Sequence, residues 1–283
     1  MKWRMRTGDS PAGHTAMTVM TALLVLSALT AVSGCASGGA VVAAQGTRTA
    51  EPITESDEPE ARKRARIRLE LAANYFEAGQ TTVALDEIKQ SLAADPGFGA
   101  AHVLRGLVYM RLNDPALAEE SFRRALQINA RDADAMHNYG WLLCNRQRYP
   151  ESIAMFDGAL ANPTYGGSAK TFMLKATCLL RMGRTAEAEA TFARAYELDP
   201  ANPFVAYNLA RLEYQRGDLT RSQFVIRRLN NSELANAETL WLGIKIERRL
   251  QNMAAVEQLA QQLSRRFPTS REWGSYQRGA FDE

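Results

Sequence analysis

The sequence predicts an all-α protein, a solenoid of six stacked helix–turn–helix units, and three columns of residues carry that prediction. A small residue recurs as Ala72, Gly106, Gly140, Ala176, Ala210 and Gly243. Twelve residues later comes a second small one: Ala84, Ala118, Ser152, Ala188, Ser222 and Ala255. Four further on sits a bulky apolar residue: Ile88, Phe122, Phe156, Phe192, Ile226 and Leu259. All three columns step by 34, 34, 36, 34 and 33 residues. Units of that period cannot bury an apolar face alone, so they stack, and the stack offers a long surface suited to binding rather than catalysis.

The chain opens with Lys2, Arg4 and Arg6, followed by an apolar run from Val19 to Val32 that closes in Val32-Ser33-Gly34-Cys35. A basic start, a short apolar core and small residues before a cut describe a secretory signal over residues 1–34, with Met5, Met17 and Met20 as alternative starts. The run is short and rich in small residues for a membrane span. Its ending resembles the bacterial lipobox, with Val32 in place of the usual Leu. That resemblance implies cleavage before Cys35 and lipid on its sulfur and amine; the plainer alternative is an ordinary signal with an incidental cysteine. Ala36 is not the Asp that retains lipoproteins at the inner membrane, so the expected address is the periplasmic face of the outer membrane. Residues 35–61 hold few large aliphatics and read as a flexible tether.

Six units follow over 62–270, at about 65–98, 99–132, 133–168, 169–202, 203–235 and 236–269, leaving 271–283 as a C-terminal tail. In each, helix A takes about positions 2 to 14 and helix B about 18 to 31, near Arg66–Ala78 and Thr82–Ala94 in the first unit. Small residues let the two helices approach, and the bulky column fills the space between one unit and the next. Gly79, Gly183 and Gly217 fall just after helix A, where a left-handed cap is common. Pro96 and Pro200 follow helix B, where proline is tolerated. The single 36-residue step marks a two-residue insertion near Tyr165–Ser168, at Gly166-Gly167.

Charge and cysteines narrow the role. Removing residues 1–34 leaves 31 basic against 30 acidic side chains, which argues against a nucleic-acid partner. The basic group Arg62–Arg68 reads as the solvated opening of the first helix, with a membrane-surface patch as the alternative. Beyond Cys35, only Cys144 and Cys178 remain. They fall at similar heights on neighbouring A helices, so a disulfide between units three and four is the favoured reading over two buried free thiols. His102 and His137 lack metal-ligand spacing, and no phosphate loop or nucleophile elbow is present. No catalytic residue, metal or cofactor is therefore expected beyond the lipid on Cys35, and no small-molecule substrate.

Leu71, Ala72, Tyr75, Ala84, Ile88 and Pro96 in the first unit, and Ala176, Leu179, Ala188, Phe192, Ala195 and Pro200 in the fourth, resemble the tetratricopeptide repeat. The resemblance implies a right-handed superhelix whose inner surface is lined by positions 2, 5, 9, 12 and 13 of helix A. Carried onto this chain, those positions predict a contiguous apolar groove of Leu69, Phe76, Val103, Leu107, Met110 and Trp141, although some of these residues could pack between A helices instead. Units five and six present Phe204, Tyr207, Arg211 and Tyr214, a more polar-aromatic surface. The Lys/Asn carboxylate clamp of chaperone-binding repeats is absent, since Leu69 and Ala73 hold its positions.

One segment is more specific. Asn138-Tyr139-Gly140-Trp141-Leu142-Leu143-Cys144, Arg148-Tyr149 and Ala161-Asn162-Pro163-Thr164-Tyr165 are similar to the type IV pilus pilotin lipoproteins of the PilF/PilW family. The resemblance implies an outer-membrane lipoprotein that binds secretin subunits and promotes their localisation and multimerisation, with the apolar groove as the contact. The alternative is a general periplasmic adaptor for peptidoglycan enzymes or outer-membrane protein assembly.

Overall fold

The computed structural model describes residues 57–282. The expected signal segment, Cys35 and most of the tether lie outside the described residues. Among those described there are thirteen α-helices and no strand. Six pairs make the units: α1 (Glu60–Glu77) with α2 (Thr81–Ala94), α3 (Gly99–Arg111) with α4 (Pro115–Ile128), α5 (Ala133–Asn145) with α6 (Tyr149–Leu160), α7 (Ser168–Arg181) with α8 (Thr185–Leu198), α9 (Pro203–Arg216) with α10 (Leu219–Asn230), and α11 (Ala237–Arg249) with α12 (Met253–Arg266). Each helix packs on the next, and α1 touches α3, α3 touches α5, α5 touches α7 and α9 touches α11, as stacked units require.

Helix α1 begins six residues before the expected start. Pro59 precedes it with φ −56° and Glu60 sits in its first turn, both favourable at a helix N-terminus. The basic opening is neutralised locally: Arg62 pairs with Asp95, Arg66 with Glu58 and Glu70, and Arg68 with Glu87.

The A-to-B turn needs one residue in the left-handed region. Gly79, Gly183 and Gly217 supply it at φ 75–89°. Units two, three and six use Asn113, Gln147 and Gln251 at φ 59–61° instead. Glutamine there bears a steric cost that glycine avoids.

The first and third columns meet inside one unit as well as between units. A Cβ on Gly106 would lie 2.5 Å from the Phe122 ring, and one on Gly140 would lie 2.9 Å from Phe156. Glycine is thus required by close approach of the ring. Where the second column is serine, its hydroxyl donates to the first-column carbonyl: Ser152 to Gly140 and Ser222 to Ala210, both at 2.7 Å. A buried hydroxyl is thereby satisfied without disturbing the packing.

Unit six departs from the sequence register. Its left-handed residue is Gln251, 34 positions after Gly217. The residues that occupy the three columns are therefore Ile244, Val256 and Ala260, all buried, whereas Ala255 and Leu259 are half-exposed. The last interval is 34, not 33. The sizes are exchanged: a large Ile244 stands where other units have Gly or Ala, and a small Ala260 where they have Phe or Ile. The Gly243, Ala255 and Leu259 series runs one residue early, and Gly243 does face Leu259, whose Cδ1 would lie 3.2 Å from a Cβ there.

The insertion lies in the α6–α7 loop, residues 161–167, where Tyr165 folds back towards His137 with ring centroids 6.5 Å apart. Beside it, Cys144 of α5 and Cys178 of α7 are joined by a disulfide with Cα atoms 5.9 Å apart and a sequence separation of 34. Closing a loop of that length stabilises by about 3–4 kcal/mol on the chain-entropy model. The segment read as a tail carries a further helix, α13 (Arg271–Gln277). Trp273, Tyr276 and Phe281 pack against Leu240, Trp241, Ile244 and Leu263, so the last unit's apolar end is covered.

Candidate partner-binding surface

Five of the six residues expected to form one apolar groove are divided among separate parts of the core. Phe76 packs with Ala72, Ile88 and Val108; Leu107 and Met110 pack with Val103, Phe122 and Tyr139; Trp141 packs with Phe156 and the disulfide. Val103 is only 8 % exposed, which removes it from any contact surface. It lies between A helices, as the packing alternative has it. Leu69, Phe76, Leu107, Met110 and Trp141 are half-buried.

The aromatic members are also covered by arginines from the following unit. The Arg111 guanidinium of α3 lies 3.7 Å from the centre of the Phe76 ring and bonds to the Phe76 carbonyl. Arg181 of α7 lies 5.1 Å over Trp141 and donates to Asn145 Oδ1 at 2.9 Å. Arg249 of α11 lies 5.1 Å over Tyr214. These arginines share one position in units two, four and six, and each reaches back over an aromatic ring of the preceding unit. The inner face is therefore a series of arginine-on-aromatic pairs separated by Leu107 and Met110, not a continuous apolar stripe. Such cation–π pairs contribute about 0.5–1 kcal/mol at exposed sites and keep a charge beside each ring. Position 13 of helix A puts Arg111 and Arg181 on the inner face from the sequence, but their stacking partners lie about 35–40 positions away and leave no local signal.

On units five and six, Tyr207, Arg211 and Tyr214 do come together, lining a cavity of about 210 Å3 with Glu238, Trp241 and Lys245. A more apolar cavity of about 460 Å3 lies between α8 and α10, walled by Tyr196, Leu209 and Phe224. Phe224 is 70 % exposed.

Two residues of the distinctive segment have a structural task. Tyr139 Oη donates to Glu119 Oε1 at 2.9 Å, and Arg148 Nη1 donates to both Glu119 oxygens at 2.7 and 2.8 Å. Arg123 and Arg146 complete the set. Burial works to raise the Glu119 carboxyl, but the bonds from Arg148 and Tyr139 and the charges of Arg148 and Arg123 together hold it below the usual carboxylate range. The network fastens units two and three. Among the described residues no group of His, Cys, Asp and Glu is placed to hold a metal ion, and no helix is long and apolar enough to cross a membrane.

Repeat architecture and column packing define a tetratricopeptide-repeat solenoid, and tetratricopeptide-repeat models match residues 69–133 and 179–240. The type IV pilus assembly protein PilF of Pseudomonas aeruginosa is 27% identical over 92% of this chain and 99% of its own length. A solved structure of P. aeruginosa PilF superposes with a TM-score of 0.70 at 25% identity, covering 78% of this chain and 100% of that one. PilW, a widely conserved type IV pilus biogenesis factor, superposes with a TM-score of 0.62 at 33% identity, covering 75% and 97%. The chain belongs to the PilF/PilW family of type IV pilus biogenesis factors. That kinship supports a role in type IV pilus biogenesis.

Proposed function

We propose that this chain is a pilotin: a lipid-anchored scaffold at the periplasmic face of the outer membrane that binds type IV pilus secretin subunits and promotes their localisation and multimerisation. It acts by holding partners, without catalysing a reaction. The observation that carries the reading is the 33% identity to PilW over 97% of its solved chain, in a chain whose fold is a repeat solenoid throughout the described repeats. The lipobox-like Val32-Ser33-Gly34-Cys35 supports the anchor, since several acyl chains on one residue hold firmly at a membrane. The half-buried Leu107 and Trp141, flanked by Met110 and the stacked Arg181, are the inner-face residues assigned to the secretin contact. Their mixed aromatic, aliphatic and guanidinium surface is the composition enriched at the centres of protein interfaces.

Deletion of the chain from its host tests the reading. Loss of heat-resistant secretin multimers and of twitching motility is expected. Normal multimers and motility would refute it. In the same strain, a Cys35→Ser form should leave the membrane fraction.

A further inference from the structure

The fifth and sixth units each bury a glutamate at the same place. Three residues after the first column stand Tyr75, Tyr109, Leu143 and Leu179 in units one to four, and then Glu213 and Glu247. The two carboxyls are 0 % and 1 % exposed. Their surroundings differ sharply. Glu247 Oε1 accepts from Arg227 Nε at 2.7 Å, and Oε2 accepts from Gln223 Nε2 at 2.8 Å and Asn252 Nδ2 at 2.9 Å. Its charge is caged by three donors.

Moving back one 34-residue unit replaces each donor. Gln223 corresponds to Glu189, Arg227 to Ala193 and Asn252 to Asp218. Glu213 therefore sits where the cage should be, with two carboxylates and an alanine in place of its donors. Arg221 Nε of α10 lies 3.1 Å from Oε1 without the alignment of a hydrogen bond, and neither carboxyl oxygen has a hydrogen-bond partner among the described residues. Arg216 is committed to Glu189 and Asp218, at 3.0 and 3.1 Å. The charges acting on Glu213 are those of Arg221, Glu189, Asp218 and Arg216, from α10, α8, the turn between α9 and α10, and the end of α9.

A fully buried carboxylate with no hydrogen bond and two other carboxylates acting on it is costly in its ionised form, a cost that the unaligned Arg221 guanidinium only partly offsets. We propose that Glu213 makes the joint between units four and five proton-operated: taking up a proton from solvent tightens the packing of α8, α9 and α10, and releasing it loosens that joint while unit six stays closed. Burial, reinforced by Glu189 and Asp218 and opposed by Arg221 and Arg216, pushes the Glu213 carboxyl up to about 7, so the change falls near neutral pH. Protonation removes the buried charge and turns one oxygen into a donor. This joint responds to protons whichever partner the solenoid binds.

The test is amide hydrogen exchange of the full chain at pH 6 and pH 8, corrected for intrinsic rates. Protection in α9 and α10 should rise about tenfold at pH 6, the equivalent of one unit of proton linkage. Glu213→Leu, the residue of units three and four, should be protected equally at both pH values. The triple change Glu189→Gln, Ala193→Arg and Asp218→Asn, which rebuilds the sixth-unit cage, should do the same with the carboxylate ionised. Should Glu213→Leu not fold, the triple variant decides. No change in wild-type protection, or a wild-type pH response in either variant, overturns the proposal.

Discussion

His137 and Glu213 are buried titratable groups that act on stability in opposite directions. His137 is 5 % exposed, and its Nδ1 lies 2.6 Å from Thr171 Oγ1. The Thr171 hydroxyl donates to the Gly167 carbonyl, so Nδ1 carries the proton and the neutral ring is the favoured form. Burial, with the Lys170 charge, lowers the imidazole from 6.5 to about 4. The unfolded chain therefore binds a proton that the folded chain refuses. Stability is fully present above pH 6.5 and is lost as pH falls towards 4, by roughly 3 kcal/mol in all. Glu213 is raised instead, so its penalty is full above about pH 7 and vanishes below the ordinary carboxylate value of 4.5. Between pH 4.5 and 6.5 the two contributions offset each other. Denaturation midpoints of His137→Gln measured across pH 4–7 should lose the acid-side decline expected of the wild type below about pH 4.5. A slope equal to the wild type's would show that His137 does not govern it. Neither behaviour was legible in the sequence, because a histidine or glutamate on a helix reveals its cost only once its buried neighbours are known.

At the scale of the helix pair, what counts is the summed volume of the first and third columns. Units one and five pair Ala72 with Ile88 and Ala210 with Ile226; unit six pairs Ile244 with Ala260 in the reverse order. Ile244→Ala alone should cost about 2–5 kcal/mol through the void it leaves. Ala260→Ile alone should cost about 1–3 kcal/mol by overpacking. Together they rebuild the arrangement of units one and five, so the double variant should be more stable than the sum by at least about 1 kcal/mol in urea denaturation. Strict additivity would show that the two sites do not share one space. The exchange also explains where the columns could and could not be read. In five units the small-small-bulky spacing located the helix crossings and the insertion directly. In the sixth, Gly243, Ala255 and Leu259 carried the same size pattern one residue away from the true positions, and no local signal distinguished the two. That one-residue slip also hid the equivalence of Glu213 and Glu247.

Across the whole solenoid, period and left-handed turns were legible because they depend on residues close in sequence. The inner surface was legible only in part. Phe76, Leu107, Met110 and Trp141 do lie along the A helices, but their exposure depends on the next unit, which buries Val103 and lays Arg111 and Arg181 over the rings. The resulting surface is alternately aliphatic and cationic, which suits a partner segment offering apolar side chains beside carbonyl or carboxylate oxygens. The proposed secretin contact lies on this surface. Its most direct test is the affinity of the purified chain for secretin subunits, compared between the wild type and a Leu107→Glu, Trp141→Glu variant whose helicity and melting are checked first. A weakening of at least about tenfold, or 1.4 kcal/mol, is expected with the solenoid folded. A folded variant that binds as tightly as the wild type would contradict it.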